Sequence, residues 1–532
     1  MQPFPRPPFV GPITRRTGAC ALLLLAACSG PNWESDADRE VAEILAEGRR
    51  RGLGDREATA ARPKSKPAAP PVGPEVGPAP AADPTPRALS LAEALETAVR
   101  SNRELVSQRE SLYQTALGLT GTRYAFSPRV ASALSYAFAG SDSGGETHAA
   151  GWSGSITQVL PAGGDVALSG SSSYTGGGGD AFSSSVAIRL AQPLLRGAGR
   201  EIAWESLAQA ERSLLYAIRN FELFRESFSI DVARRYYDLV QQKTALDNQR
   251  RNLEGFVFGR KQAEALFSVG RTSELEVLRA RRSELTSQNS LIEAEESLRL
   301  ARDRFRIFLG LPEGAQVDVR DEEPAFVPVD YDVESAVQVA LENRLDWLNQ
   351  REQLEDARRG VRIAKNGLLP DLALTLDYAL SSDAASSFDR QGLDQSAYGA
   401  ALSLSLPIQQ VNERNAYRSA QIALASAERG VAQFEDDLVV SVRSTFRELA
   451  RRKQSLEIQE ELIVDQEKNV AIAQLRFDQG DFSNRDLVEA QEALLEARNS
   501  LIQEKVAYEI ARLGLLRDLG ILFIDEKGMW KE

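Results

Sequence analysis

Apolar residues recur at steps of three and four along two long stretches of the chain, residues 201–267 and 411–477. This spacing places them on one side of an α-helix and is typical of a coiled-coil seam. At a rise of 1.5 Å per residue, each stretch predicts a rod roughly 100 Å long, about three times the hydrocarbon thickness of a bilayer. The seam positions are Leu207, Ala210, Leu214, Ile218, Phe221, Phe224, Phe228, Val232, Tyr236 and Leu239, and then Ala420, Leu424, Ala427, Val431, Phe434, Leu438, Val442, Phe446 and Leu449.

Shorter helical patterns accompany each long one. They cover residues 90–126 and 273–309 in the first half of the chain, and 333–366 and 483–519 in the second. Ser90, with Glu93 three residues later, predicts an N-cap with a capping box at the start of the first. Two short helices placed end to end match one long helix in length, so together they would form a wall of uniform height.

Two other segments, residues 129–192 and 370–407, alternate between apolar and small or polar positions, which predicts β-strands. From Leu372 to Leu380 the even positions are leucine or tyrosine, and the odd positions are alanine, threonine or aspartate. Alternation alone favours a soluble sandwich with one buried face. Strands of about ten residues with this character also suit a transmembrane barrel whose apolar face contacts lipid.

The two halves of the chain are copies of one plan: helix, strands, long helix, helix. Identical residues recur 210 positions apart in the later part of each half and 242 apart in the earlier part, so the first copy carries an insertion between Pro128 and Gly270. Such a duplication indicates an architectural unit used twice. The pairs are Phe267/Phe477, Gly270/Gly480, Ser273/Ser483, Ala280/Ala490, Ala301/Ala511, Leu309/Leu519, Gly310/Gly520, Ala94/Ala336, Ala98/Ala340 and Pro128/Pro370.

The insertion lies among the strands of the first copy. Pro128 and Pro193 are 65 positions apart, against 37 for Pro370 and Pro407. Apolar residues alternate on both sides of a turn at residues 161–165, which predicts a further hairpin. That hairpin either adds strands to the sheet or projects as a loop.

A single chain of this design would leave apolar flanks on its helical wall and open edges on its four or so strands. Lipid does not tolerate open edges, so we expect closure by symmetric association. The predicted units are a first repeat over 90–310, a linker over 311–332, a second repeat over 333–520 and a C-terminal tail over 521–532.

Composition narrows the range of functions. The net charge of −13, or −16 once Arg6, Arg15 and Arg16 are removed with the first 28 residues, argues against nucleic-acid binding. His148 is the only histidine, and the two cysteines are Cys20 and Cys28. A histidine-based catalytic pair and a His/Cys metal cluster are therefore excluded, and we expect neither an enzyme, a metal nor a cofactor.

The N-terminal segment predicts secretion. Two arginines precede an apolar run that is too short to span a bilayer, as in a signal peptide over residues 1–27. The run ends in Leu25, Ala26, Ala27 and Cys28, which resembles the lipobox of bacterial lipoproteins; a plain signal peptide with an accidental cysteine is the alternative. The resemblance implies acylation of Cys28, including palmitate, and Ser29 favours sorting to the outer membrane. Residues 28–89 would then form the lipid anchor and a Pro/Ala-rich tether.

The plan and its landmarks together resemble the TolC-like outer-membrane factor family. The resemblance covers about residues 90–525, and its strength lies in the fixed order of short motifs, given twice. The motifs are Leu91, Ala92, Glu93, Ala94 and Leu95 with Asn102; Gln192, Pro193 and Leu194; Leu369 and Pro370; and Arg476, Phe477 and Gly480 with Asp486, Leu487 and Ala490.

This resemblance implies a homotrimeric outer-membrane β-barrel continued by a long α-helical coiled-coil tunnel in the periplasm, with two structural repeats per chain. It implies a lipid-anchored exit duct of an efflux pump or type I secretion system. A periplasmic adaptor, an inner-membrane transporter and outer-membrane lipid would be its partners. The competing class without a channel is a periplasmic coiled-coil structural lipoprotein.

In the family, turns between helices form the tip of the tunnel and carry carboxylates that help to close its entrance. The matching turns here contain Gly270 and Gly480, and the matching carboxylates are Glu276, Asp486 and Glu489. An ordinary solvated helix start is the alternative for these acids. Phe482 stands where a basic residue can take part in the closing network, so that network is expected to differ here.

Overall fold

The computed structural model describes residues 33–53, 87–141, 145–177, 180–324, 326–329, 332–382, 392–479 and 484–531. Its helices are α1 (Trp33–Leu53), α2 (Leu91–Ser101), α3 (Arg103–Ala125), α4 (Arg200–Ala203), α5 (Glu205–Ser268), α6 (Glu274–Phe308), α7 (Val333–Asn343), α8 (Leu345–Asn366), α9 (Val411–Gln479) and α10 (Asn484–Asp518). Its strands are β1 (Arg87–Leu89), β2 (Arg129–Ser141), β3 (Gly145–Val159), β4 (Asp165–Gly176), β5 (Ala181–Pro193), β6 (Val317–Val319), β7 (Asp371–Ser381) and β8 (Gln395–Ser405).

The two long helices, α5 and α9, organise a wall. Near the sheet the order of contacting helices is α3, α5, α8, α9, and farther from the sheet it is α6, α5, α10, α9. Two short helices thus stand end to end beside each long one, as in the uniform wall expected from the helix lengths. Each half of the chain supplies one long helix and its two short neighbours.

The buried side chains of the wall repeat with the spacing of the duplication. Among the described residues, five of the six positions that are buried on α9 are also buried 210 positions earlier on α5, and four such apolar pairs link α6 and α10 with their C-caps. Because the same positions face the interior in both copies, the duplication extends to the packing. The buried pairs are Phe228/Leu438, Val232/Val442, Leu239/Leu449, Leu246/Leu456, Ala263/Ala473, Ala280/Ala490, Leu298/Tyr508, Phe305/Leu515 and Leu309/Leu519.

The single helix predicted over 90–126 is wrong, because the chain breaks at Asn102. The backbone there is extended, with φ −67° and ψ 125°. The Asn102 Oδ1 atom accepts hydrogen bonds from the N–H groups of Glu104 and Leu105, and its Nδ2 donates to the Phe308 carbonyl at 2.6 Å. The side chain therefore caps a new helix and ties it to the end of α6.

The helix predicted over 333–366 has the same fault. It breaks at Arg344, 242 positions after Asn102, where φ is −72° and ψ is 120°. The Arg344 guanidinium donates to Asp346, whose carboxylate also accepts the N–H of Trp347 at 2.9 Å. The break is thus a shared feature of the two copies, stabilised by different side chains.

The tether predicted over 28–89 is also wrong in part, because Trp33–Leu53 forms helix α1 and Arg87–Leu89 forms strand β1. Helix α1 packs on α3 and α5 with Val41 and Ile44 buried. A Cβ atom at Gly48 would lie 2.5 Å from the end of the Ile218 side chain, so a larger residue there would require Ile218 to shift. Helix α1 is therefore a docked part of the fold.

Six strands form one antiparallel sheet in the order β2-β3-β4-β5-β7-β8. The inserted hairpin, β3 and β4, therefore lies inside the sheet and does not project from it. Its turn is fixed against the segment that leads from β5 to α4: the Gly199 N–H donates to the Ala162 carbonyl at 3.0 Å. Gly197 and Gly199 adopt positive φ angles of 79° and 99° at this elbow.

A smaller sheet and the C-terminus close the middle of the wall. β1 and β6 pair in parallel, and Tyr236, which is fully buried on α5, donates hydrogen bonds to carbonyls beside both strands. After α10 the chain folds back, and Arg225 donates to the carbonyls of Ile524 and Asp525. The predicted tail over 521–532 is therefore packed in its described part.

We expect Asn102→Ala to destabilise the protein by roughly 2 kcal/mol, because it removes a cap and takes the Asn102 amide donor away from the partly buried Phe308 carbonyl. Thermal unfolding followed by circular dichroism in mild detergent measures this. Asn102→Asp keeps the capping acceptor but loses the donor, so it should fall between wild type and alanine. Ser273→Ala removes the exposed cap of α6 as a control and should cost less. Equal losses at Asn102 and Ser273 would contradict the tie to α6.

Candidate functional site: sheet faces, wall flanks and helical tip

One face of the six-stranded sheet is apolar from edge to edge. The strand register aligns one apolar residue from every strand in a single row, and all six side chains are between 43% and 87% exposed. Large apolar side chains that remain exposed over a whole sheet indicate a non-aqueous partner surface. The row is Val130, Ile156, Leu168, Ile188, Tyr378 and Tyr398.

The opposite face carries small and polar side chains. The neighbouring row of the register consists of alanine and serine only, and Ser171 and Ser185 lie 2.8 Å apart through their hydroxyl oxygens. Arg189 and Asp377 form an ion pair at 3.7 Å on the same face. Such a face suits contact with water. The row is Ala131, Ser155, Ser169, Ala187, Ala379 and Ala397.

Aromatic side chains gather toward the end of the sheet that is remote from the helices. The rings of Phe138 and His148 are 5.0 Å apart between centroids, and those of Tyr174 and Phe182 are 4.8 Å apart. The Tyr136 hydroxyl also lies 2.9 Å from His148 Nδ1. Amphipathic rings favour the boundary between hydrocarbon and water, so the apolar face carries a graded polarity along the strands.

The two flanks of the helical wall are apolar, and the residues that the structure describes leave them uncovered. On α6, Leu278, Leu285 and Ile292 follow one another at intervals of seven residues, and each is at least 55% exposed. On α9, at the other flank, Ile458 and Ile472 are also exposed. Equally spaced apolar residues on one side of a helix favour packing against another helix.

The tip of the wall holds the predicted gate residues, and the two copies differ there. In the first copy Glu276 is half-buried and pairs with Arg279 at 2.5 Å. In the second, Asp486 and Glu489 occupy the equivalent positions, and both are exposed. Arginine in one copy is thus replaced by glutamate in the other. Asp486 and Glu489 are three positions apart, so both lie on the exposed side of α10.

Below these acids, the tip of the second copy is packed. Phe477 and Leu487 are buried with Ala473 and Ala490, whereas Phe267, the counterpart of Phe477, is 46% exposed. Gly270 adopts φ 74° at the turn between α5 and α6, as expected for a tip glycine. The equivalent Gly480, together with Phe482 and the predicted lipidation site Cys28, lies outside the described residues.

Hydrophobic periodicity did not predict the polar seam that joins the two copies near the sheet. Arg219 on α5 is buried and binds Glu352 on α8 at 2.9 Å and the Asn349 amide oxygen at 3.1 Å. One turn away, burial and a hydrogen bond to Asp356 raise the pKa of Tyr216 to about 12, so its phenol stays protonated and donates at 2.7 Å. Arg219 directly follows the seam residue Ile218, and this charge beside the apolar seam was the available signal.

Among the helices that the structure describes, none is both long and apolar enough to cross a bilayer.

Comparison with known proteins agrees with this architecture. TolC, an outer membrane protein of Salmonella enteritidis, is 23% identical over 338 residues, which cover 60% of this chain and 66%, just under two thirds, of that protein. The outer membrane protein TtgI of a toluene efflux pump in Pseudomonas putida is 25% identical over 303 residues, covering 54% of this chain and 61% of the relative. The structure of the outer-membrane channel OprN covers 81% of this chain and 89% of its own, with a TM-score of 0.60 at 18% identity.

The family model described as outer membrane efflux protein matches residues 159–311 and 336–520, which is more than half of the chain and includes both copies. With the duplicated helical wall and the two-faced sheet, this match shows that the chain belongs to the outer membrane efflux protein family.

Proposed function

We propose that three copies of the chain form the exit duct of a tripartite efflux pump or a type I secretion system. The observation that carries this proposal is the six-stranded sheet, with one apolar exposed face and one small, polar face. Contact with lipid suits the apolar face, and contact with water suits the polar face. Substrates would then pass from the periplasm to the exterior, and the duct itself would perform no chemistry.

The edges of the sheet support closure into a barrel. Among the described residues, β2 and β8 each pair with one strand only, and five antiparallel steps between them make their directions opposite. β8 of one subunit can therefore pair with β2 of the next in the same antiparallel pattern. Three subunits with six strands each would give an eighteen-stranded barrel, a size that leaves an aqueous channel.

The helices would continue this barrel as a tunnel in the periplasm. α5 and α9 contain 64 and 69 residues, so each is a rod of roughly 100 Å, far longer than a bilayer is thick. Apolar flanks on α6 and α9 would be covered by neighbouring subunits. The tip, at Gly270 and Gly480, would then be the periplasmic entrance, where an adaptor and an inner-membrane transporter supply substrate and energy.

The gate of this tunnel would use the acids of the second copy. Asp486 and Glu489 from three subunits would place six carboxylates around the entrance. Glu276 is the weaker candidate, because Arg279 neutralises it within the same helix. The proposed ring would attract cations and bind multivalent ones best, since like charges at close range disfavour one another.

A lipid on Cys28 would add a second attachment to the outer membrane. Helix α1 begins at Trp33, close behind this cysteine, and is docked on the wall by Val41 and Ile44. The acyl chains would therefore be held near the helices that adjoin the sheet. Under this proposal the protein is anchored by lipid in the outer membrane and extends into the periplasm.

The sheet assignment is tested by a lysine on each face of one strand. Leu402 and Ser403 are neighbours in β8 on opposite faces. Lysine on the lipid side near the bilayer midplane costs about 2–4 kcal/mol, so Leu402→Lys should reduce insertion strongly, whereas Ser403→Lys should insert normally. The urea-resistant fraction of the chain in outer-membrane preparations measures insertion. Equal insertion of the two variants would place Leu402 away from lipid.

Channel function and the gate are tested together in planar bilayers, with native mass in mild detergent to establish the trimer. Wild type should conduct, prefer cations and be blocked by multivalent cations from the periplasmic side. Asp486→Asn/Glu489→Gln should conduct but lose both the preference and the block. Glu496→Gln, an exposed acid higher on α10, is a charge control that should leave both unchanged. A soluble monomer without conductance would instead indicate the structural lipoprotein.

Lipidation is tested by mass spectrometry of the mature N-terminus. We expect a chain that begins at acylated Cys28, and we expect Cys28→Ser to remain inserted through its strands. An unmodified terminus produced by cleavage at another bond would refute the anchor.

A further inference from the structure

The two halves of one chain meet along a seam that has two parts. Near the sheet, α5 of the first half packs on α8 of the second, and the Arg219 Nη2 atom lies 2.9 Å from Glu352 Oε1. Toward the tip, α5 packs on α10, where a Cβ atom at Gly255 would lie 3.3 Å from the Gln491 amide. These contacts join the second short-helix stack to the first long helix.

The same two surfaces exist a second time, and there no equivalent helix of the described residues packs against them. α9 is the copy of α5, shifted by 210 positions; α3 is the copy of α8, shifted by 242; and α6 is the copy of α10, shifted by 210. α9 lies at one flank of the wall, and α3 and α6 lie at the other. If a neighbouring subunit packed on this one as the second half of the chain packs on the first, its α3 and α6 would contact α9 of this subunit.

The positions equivalent to the buried ion pair hold the same two residue types. Arg219 becomes Arg429 on α9, and Glu352 becomes Glu110 on α3. Both side chains are exposed, and neither makes an ion pair or side-chain hydrogen bond with any residue that the structure describes. We propose that the contact between subunits repeats the contact between the halves of one chain, with Arg429 paired to Glu110 of the partner subunit. This inference rests on the proposed trimer and adds its interface and register.

A second contact follows from the same shift. Gly255 becomes Asp465 on α9, and Gln491 becomes Arg281 on α6, so an uncharged contact within the chain becomes an oppositely charged one between subunits. Asp465 is exposed and reaches Lys468 at 3.3 Å, and Arg281 forms no ion pair among the described residues. Asp465 would therefore face Arg281 of the partner subunit.

The apolar residues on the flank fit this arrangement. Leu278, Leu285 and Ile292 on α6 correspond to Val488, Leu495 and Ile502 on α10, which are half-buried beside α5. Packing of α6 on a partner's α9 would cover the exposed residues in the same way. The two ion pairs would then fix the register along a seam whose apolar contacts alone allow sliding by a heptad.

Charge reversal tests the pair of Arg429 and Glu110. Arg429→Glu and Glu110→Arg should each weaken the trimer, by about fivefold at each of three interfaces and roughly a hundredfold in the assembly constant, since an attraction becomes a repulsion. The double variant should restore assembly, measured as the trimer fraction by native mass during dilution in detergent. Glu461→Arg is the control, because its counterpart Arg251 is exposed on α5 and so lies off the seam. Single reversals without effect, or no rescue, would overturn the pairing.

A disulfide tests the pair of Asp465 and Arg281. Arg281→Cys/Asp465→Cys should give a covalent trimer on non-reducing gels, whereas either cysteine alone should not. Gly255→Cys/Gln491→Cys is the matched control and should close a bridge within each chain, leaving the monomer mass. Leu278→Cys/Asp465→Cys, displaced by about one helical turn, should cross-link at least tenfold less.

These outcomes separate the interface from the oligomeric state. A native trimer that fails to cross-link at 281 and 465 would refute the register and leave the duct intact. A native monomer of the unmodified chain would refute the proposed duct and the interface with it.

Discussion

Backbone hydrogen bonding at the outer strands is the constraint on which the rest of this molecule depends. β2 and β8 contain 13 and 11 residues, and the described part of the chain supplies each with a partner on one side only. Hydrocarbon offers no substitute for that partner. The helical wall likewise lacks cover for its apolar flanks. A single rotationally symmetric assembly would both pair the edge strands and cover the flanks.

Duplication explains how one chain supplies such complementary ends. Most of the positions that are buried on α9 are also buried on α5, because each long helix packs on equivalent short ones. The copies diverge at the tip, where Phe267 is exposed and Phe477 is buried, and where Arg279 corresponds to Glu489. The two copies therefore share their helical framework, and the second copy differs from the first at the tip.

Periodicity was sufficient to predict the long helices and the two-faced strands, since each depends on side chains a few positions apart. The internal repeat was predicted from identical residues that recur 210 and 242 positions apart. The breaks at Asn102 and Arg344 were not predicted, because the helical pattern continues through them and the partners of Asn102 lie 206 positions away on α6. Helix α1 was hidden by the Pro/Ala-rich segment that follows it. The ion pair of Arg219 and Glu352 joins distant segments and required the packed chain, whereas the acids at the tip could be identified by their position after the turn.

The inserted hairpin changes how the circumference of the proposed barrel compares with that of the proposed helical ring. Four helices per subunit at any height give a ring of twelve in a trimer, and at spacings of about 9–10 Å this ring measures roughly 110–120 Å around. Eighteen strands about 4.8 Å apart and tilted by about 40° measure roughly 113 Å, whereas twelve would measure about 75 Å. With the hairpin in the sheet, the proposed barrel and the proposed helical ring would have nearly equal girth. A duct of constant bore would pass cargo through the membrane without a narrowing there, which leaves selection by size to the opposite end.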